Sequence, residues 1–286
     1  MSPGGESGRA FRKLSEGRYF EGPRWYGDRL WVSDTLSRSV WRIDLEGEKT
    51  LVCKMDDIPC GLGHLPSGEL LVLGMFQRQL WRVSEGALVL HADVSAVAAG
   101  TIDDMIVDGE GRAYVGDLGF DLLSGPAPGA VGRILLVTPD GRSRVVAEGL
   151  DFPNGIAVSD DGTRLVVAES SGDRLCEFRI ETDGSLSTPR RFGSFDEPDG
   201  VCLDEQGHAW VALFSEDAFV RVEPGGRVVE RIPTPGRRAI ACCFGGAERR
   251  SLLCVTAVTT HEDLMQGRST SWIELIDVDV SGGGAP

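Results

Sequence analysis

The segment GIAVSDDGTRLVVAES from Gly155 is echoed by GVCLDEQGHAWVALFS from Gly200. Both run glycine, apolar, any residue, apolar, a polar turn ending in glycine, then alternating apolar residues. The same phase recurs in DMIVDGEGRAYVGDLG from Asp104 and GLGHLPSGELLVLGMF from Gly61, more loosely in GPRWYGDRLWVSDTLS from Gly22, and in degenerate form in ACCFGGAERRSLLCVTAVT from Ala241. The intervals are 39, 43, 51, 45 and 41 residues, within the range of propeller blades, whose small sheets bury their faces only by stacking on neighbours. Each of the first five copies continues into another strand-like run, such as SVWRIDL, QLWRVSE, RILLVTP, RLCEFRI and FVRVEPG. The alternation has period two and no long stretch has period 3.6, which argues against helices. A sandwich would not give six phased copies, and a parallel β-helix would repeat at shorter intervals. The fold class expected is therefore all-β, a single six-bladed β-propeller over 1–286 with residues 1–10 as a flexible N-terminal tail. The longest interval places an inserted Gly- and Pro-containing loop at 119–132. AFRKLSEGRYF is expected to add an outer strand to the last blade, beside SWIELIDVDV, and so lock the ring.

The length of 286 residues suits one closed β architecture, and 41% hydrophobic residues with 38 Gly and 14 Pro supply core and turns together. No apolar run approaches the ~18 residues that would span a bilayer, and MSPGGESGRAFRKLSEGRYF has no apolar h-region. A soluble, cytoplasmic protein is expected. Lys and Arg total 29 against 44 Asp and Glu, and the net charge of −15 would repel nucleic acid and anionic membranes. A monomer or weak homodimer is expected. Seven cysteines without a C-x-x-C pair read as small buried hydrophobes.

In a propeller the innermost strand of each blade lines the central channel. The residues just before the phase position are Glu21, Cys60, Asp103, Asn154, Asp199 and, approximately, Ile240. Asn or Asp before glycine is an ordinary turn signal when taken singly. Four oxygen-bearing side chains at one repeat phase are not what independent turns produce. Carboxylates crowded in a channel repel one another unless a cation joins them, and hard divalent cations take such oxygen clusters. A metal site in the central channel is therefore expected. His64, His91, His208 and His261 all fall outside the phase positions, so a His-based triad is not expected.

At these residues the sequence resembles the senescence marker protein / gluconolactonase / luciferin-regenerating enzyme family of six-bladed propellers. The resemblance rests on EGPRW at Glu21, DDMIVDGEGRAYVGDLG from Asp103, FPNGIAVSDDGTRLVVAES from Phe152, PDGVCLDEQGHAWVAL from Pro198 and FGG at Phe244. It implies that Glu21, Asn154 and Asp199 ligate one divalent ion (Ca, Zn, Mn, Mg or Fe), with Asp199 also the general base or acid, and that the substrate is a small-molecule lactone. Where that family often has Arg-x-Asn-Asp, this chain has Thr101-Ile102-Asp103-Asp104. Thr101 offers no guanidinium fork to a sugar, and Asp103 adds a charge where a neutral amide is usual.

The expected function is hydrolysis of a cyclic ester, the metal polarising the carbonyl and Asp199, or second Asp103, activating water. Thr101, Asp103, Asp117 and Asp121 are candidate substrate contacts. Two other readings stand beside this one. In the first, the same site is retuned for a less polar lactone or a non-hydrolytic isomerase or cyclase reaction; in the second, the propeller is a non-enzymatic binding scaffold.

Overall fold

The computed structural model describes residues 10–84, 86–125 and 131–285. Its strands form six four-stranded antiparallel sheets, the six-bladed β-propeller expected from the repeat. Blades 1 to 5 are continuous in sequence, covering 20–54, 59–93, 102–150, 153–194 and 198–233. Blade 6 takes three strands from 238–277 and its outermost strand, Arg12–Gly17, from the other end of the chain. Arg12 pairs with Leu275 and Gly17 with Ser271 in this seam. Of the expected tail, residues 1–9 lie outside the described residues, as do 126–130 of the inserted loop.

Period-two alternation explains how the blades hold together. In the blade 2 strand Leu70–Gly74, Leu70 and Val72 pack into an apolar cluster shared with blade 1, while Leu71 and Leu73 pack into one shared with blade 3. Successive side chains point to opposite faces of a sheet, so one strand serves two interfaces. Six such clusters among the described residues fill the six blade–blade interfaces in turn. Six cysteines are buried and Cys202 is half-buried, all as free thiols.

The inner strands Phe20–Tyr26, Pro59–His64, Ile102–Val107, Pro153–Val158, Pro198–Leu203 and Arg238–Gly245 each carry a register irregularity at the repeat phase. A bulge re-aims the side chains at that point, so the repeat phase seen in the sequence corresponds to a recurring local bend. The glycines beside it permit close approach. A Cβ at Gly155 would lie 2.5 Å from the Asp199 carbonyl oxygen, and one at Gly200 would lie 2.5 Å from Ala241 Cα. The inner strands can thus crowd around a narrow channel only where side chains are absent.

The C-terminal segment crosses the far end of that channel. Gly282 and Gly284 bridge to Asp204 and Ser159, and Ala285 N–H donates to the Val158 carbonyl at 2.8 Å. This ties the turns of blades 4 and 5 to the chain end.

Candidate functional site

The bulges bring Glu21, Cys60, Asp103, Asn154 and Asp199 to one mouth of the channel, each at the start of a different inner strand. Their electrostatics show that they meet. Burial drives the Glu21 carboxyl well above the ordinary carboxylate range, and the charges of Asp199, Asp103 and Asp104 add to it. Asp199 is raised well above its ordinary value by burial and then by Asp103, Glu197 and Asp104. Burial also pushes Asp103 up to about 6, against the lowering effect of a hydrogen bond from Cys60 Sγ, 3.1 Å from its Oδ1. Burial raises all three acids, with neighbouring carboxylates adding to it: Asp199, Asp103 and Asp104 for Glu21, Asp103, Glu197 and Asp104 for Asp199, and Asp104 for Asp103.

Asn154 contributes differently. Its side-chain amide donates to Ser170 Oγ at 3.2 Å and hydrogen-bonds Asp199, and Ser170 in turn donates to the Pro198 carbonyl at 2.7 Å. With its N–H groups directed at protein acceptors, what Asn154 has left to offer is its carbonyl oxygen. Among the described residues, no three His, Cys, Asp or Glu side chains converge closely enough to hold an ion by themselves. Glu21, Asp199 and Asn154 offer only oxygen donors, the type that hard divalent ions take, with the neutral amide adding no third negative charge.

The other sequence candidates are placed less favourably for a ligand. Thr101 is 4% exposed and its hydroxyl accepts from Leu122 N–H at 3.1 Å. Asp117 is fully buried, its oxygens accepting from the backbone N–H groups of Ala99, Gly100 and Gly119. Asp117 is thus an anchor of the loop around Thr101 rather than a substrate contact, because its lone pairs are turned inward to satisfy the turn. Asp121 caps its own turn through Leu123 N–H and the Ser124 hydroxyl.

Several residues at this mouth carried no repeat signal. Tyr19, half-buried two residues before Glu21, hydrogen-bonds that carboxyl, and burial together with the charges of Glu21, Asp199 and Asp103 raises its phenol well above its ordinary range. Phe152, directly before Pro153-Asn154, sits in the left-handed region at φ 59° and packs against Phe120 with ring centroids 5.9 Å apart. Glu197 occupies the matching position in blade 5, at φ 46°. It accepts from the Ser215 hydroxyl and lies 2.6 Å from His261 Nε2, whose ring stacks on Phe214. Bulky residues held at positive φ are rare and concentrate at functional sites. The nearest sequence signal was the pair of residues preceding PNG and PDG, which share a position in the repeat.

Pentonolactonase XacC of Haloferax volcanii is 27% identical over 247 residues, covering 84% of this chain and 82% of that protein. Among solved structures, the luciferin-regenerating enzyme superposes with a TM-score of 0.81 at 20% identity, covering 97% of this chain and 99% of the other. Regucalcin of Agrobacterium tumefaciens, described as a calcium-binding protein, superposes with a TM-score of 0.76 at 22% identity, covering 96% and 97%. At such identities the two superpositions speak for the fold. The family model described as SMP-30/Gluconolactonase/LRE-like region matches residues 20–259, and this chain therefore belongs to that family.

Proposed function

We propose that the protein is a divalent-metal-dependent hydrolase of lactones, with Glu21, Asn154 and Asp199 as the metal ligands and Asp103 as the base. The observation that carries this reading is the gathering of the buried carboxyls of Glu21, Asp103 and Asp199 at one mouth, supported by the pentonolactonase name of a relative and the calcium of a structural neighbour. The bound ion would supply Lewis-acid polarisation of the lactone carbonyl.

The chain's own residues do the rest. Asp103 removes a proton from water as its oxygen attacks the carbonyl carbon. The ring C–O bond then breaks, and the same carboxyl returns its proton to the leaving alkoxide. A carboxylate that ligates the ion is a weakened base, which favours Asp103 over Asp199 for this role. Tyr19 and Ser170 orient the donors, Tyr19 through Glu21 and Ser170 through Asn154.

A second reading concerns the substrate, and it rests on the Phe120–Phe152 pair beside the chain segments of Asp103 and Asn154. Thr101, Asp117 and Asp121 spend their polar atoms on the protein, so lactones with apolar substituents suit this mouth better than polyhydroxylated ones. Exhaustive chelation is expected to abolish turnover of a panel of sugar and aliphatic lactones, and one divalent ion to restore it. Full activity in a metal-free sample would overturn the metal assignment. A preference for aldonolactones over apolar lactones would overturn the second reading.

A further inference from the structure

One turn of strand inward from Glu21, Arg24 points into the channel with 7% of its side chain exposed. Its Nη2 donates to Asp104 Oδ1 at 2.9 Å and to the Met105 carbonyl at 2.5 Å, and its Nη1 donates to the Pro23 carbonyl at 2.9 Å. Arg24 belongs to blade 1, Asp104 and Met105 to blade 3. Blade 2 lies between them around the ring, so the contact is made across the channel rather than along its wall. On the far side, Asp104 Oδ2 accepts from Ile156 N–H of blade 4 at 3.3 Å. The guanidinium and carboxylate together form a strut across the channel, immediately beneath the carboxylates of the site.

The position of Asp104 gives the strut its meaning. Blades 1, 2, 4 and 5 carry Gly22, Gly61, Gly155 and Gly200 at this phase, whereas blade 3 carries a charged side chain. The glycines let a bulge form with the neighbouring strand in close contact; at Gly61 a Cβ would stand 2.4 Å from Met105 N. Blade 3 must hold its bulge, between Ile102 and Met105, by other means. Arg24 Nη2 donates to both the side chain and the carbonyl that follow Asp103, while Nη1 is held by the Pro23 carbonyl, so the planar guanidinium fixes its own orientation as it grips blade 3.

We infer that Arg24 is a positioning residue that aims the Asp103 carboxylate at the reacting water by clamping the blade 3 bulge from across the channel. This rests on the hydrolase reading with Asp103 as base. Of the metal ligands, Asn154 and Asp199 stand on other blades, but Glu21 shares the strand Phe20–Tyr26 with Arg24, so Mn²⁺ affinity is read alongside kcat.

The test is a double-mutant cycle. Arg24→Lys keeps a cation beside Asp104 but loses the second nitrogen that anchors the head group to the Pro23 carbonyl, and it is expected to lower kcat tenfold or more with KM and the Mn²⁺ dissociation constant changed less than threefold. In an Asp103→Asn background the same substitution is expected to cost less than a further twofold, because there is no longer a base to aim. Unchanged kcat, losses that multiply in the double variant, or Mn²⁺ affinity falling in step with kcat would each overturn the inference. Arg24→Gln repeats the cycle should Arg24→Lys fail to fold. Should the unaltered protein hydrolyse no lactone at all, the hydrolase reading fails, and hydrogen exchange then decides the clamp alone. Exchange at 102–107 is expected to rise at least tenfold in Arg24→Lys while 198–203 holds; equal rates at 102–107 in both proteins would overturn it.

Discussion

The two mouths of the channel use the same residue types to opposite ends. At the far mouth, acids are satisfied by their own hairpins. Asp108 accepts from the N–H groups of Glu110 and Arg112 and pairs with Arg112 Nε at 2.7 Å; Asp204 does the same with Gln206, His208 and Arg221. Asp161 is held below the ordinary carboxylate range chiefly by the Ser159 hydroxyl, and Asp183 by the Ser185 backbone N–H. At the site mouth, Glu21, Asp103 and Asp199 are shifted the other way, by burial first and then by neighbouring carboxylates. Acids at the far mouth stabilise turns, whereas acids at the site mouth oppose folding until something positive joins them. The comparison separates carboxylates that belong to the fold from those that the fold tolerates.

That contrast can be broken most sharply at the site. Glu21→Gln and Asp199→Ala are each expected to lower lactone turnover by on the order of 10²–10⁴-fold, read from kcat/KM, with the far-ultraviolet circular dichroism unchanged. The mirror experiment is Asp108→Ala, whose side chain is 1% exposed. It should leave kcat/KM alone and destabilise the protein by about 1–3 kcal/mol in urea unfolding, since two backbone donors and Arg112 lose their acceptor.

The effect of pH on the metal-free protein sharpens the comparison further. A carboxyl raised from 3.8 to about 6 in the folded state, as Asp103 is, contributes stability that is complete below its ordinary value and lost as pH rises through about 6. Glu21 and Asp199 act in the same direction. Metal-free protein should therefore melt at a lower temperature at pH 7.5 than near pH 5, and Glu21→Gln should reduce that difference. Below the ordinary carboxylate range the far-mouth acids reverse the trend, because Asp161 and Asp183 lose stability as pH falls. A metal-free melting temperature that rises from pH 5 to pH 7.5 would contradict the assignment. The smallest effect belongs to Thr101→Val, which removes the acceptor for Leu122 N–H. A loss of about 1 kcal/mol with turnover within twofold is expected from a loop anchor.

The sequence made the ring, the blade phase and the closing strand legible because each is periodic or terminal. Glu21, Asp103, Asn154 and Asp199 stood out for the same reason, each at the same phase of a different copy, and only the family resemblance set three of them apart as ligands. What the repeat did not show is set by contacts between copies. Arg24 reads as one polar residue in a strand, and only the third dimension brings it to Asp104. Glu197 and His261 lie on different blades and share no motif. Asp117 looked like a loop acid open to ligand, but its burial under 99–101 and 119 is a tertiary outcome that no local pattern encodes.

The seam in blade 6 also governs the order in which the molecule can be made. Arg12–Gly17 leaves the ribosome before every other described strand of the ring, yet its partner, Thr270–Asp277, is the last of them, with Arg12 waiting for Leu275. Until then the nascent chain carries an unpaired edge at each end of an open arc, the arrangement most prone to pair with a neighbour instead. Completion is a single long-range closure. Loss of Arg12–Gly17 should therefore act less like trimming a tail than like leaving a clasp undone.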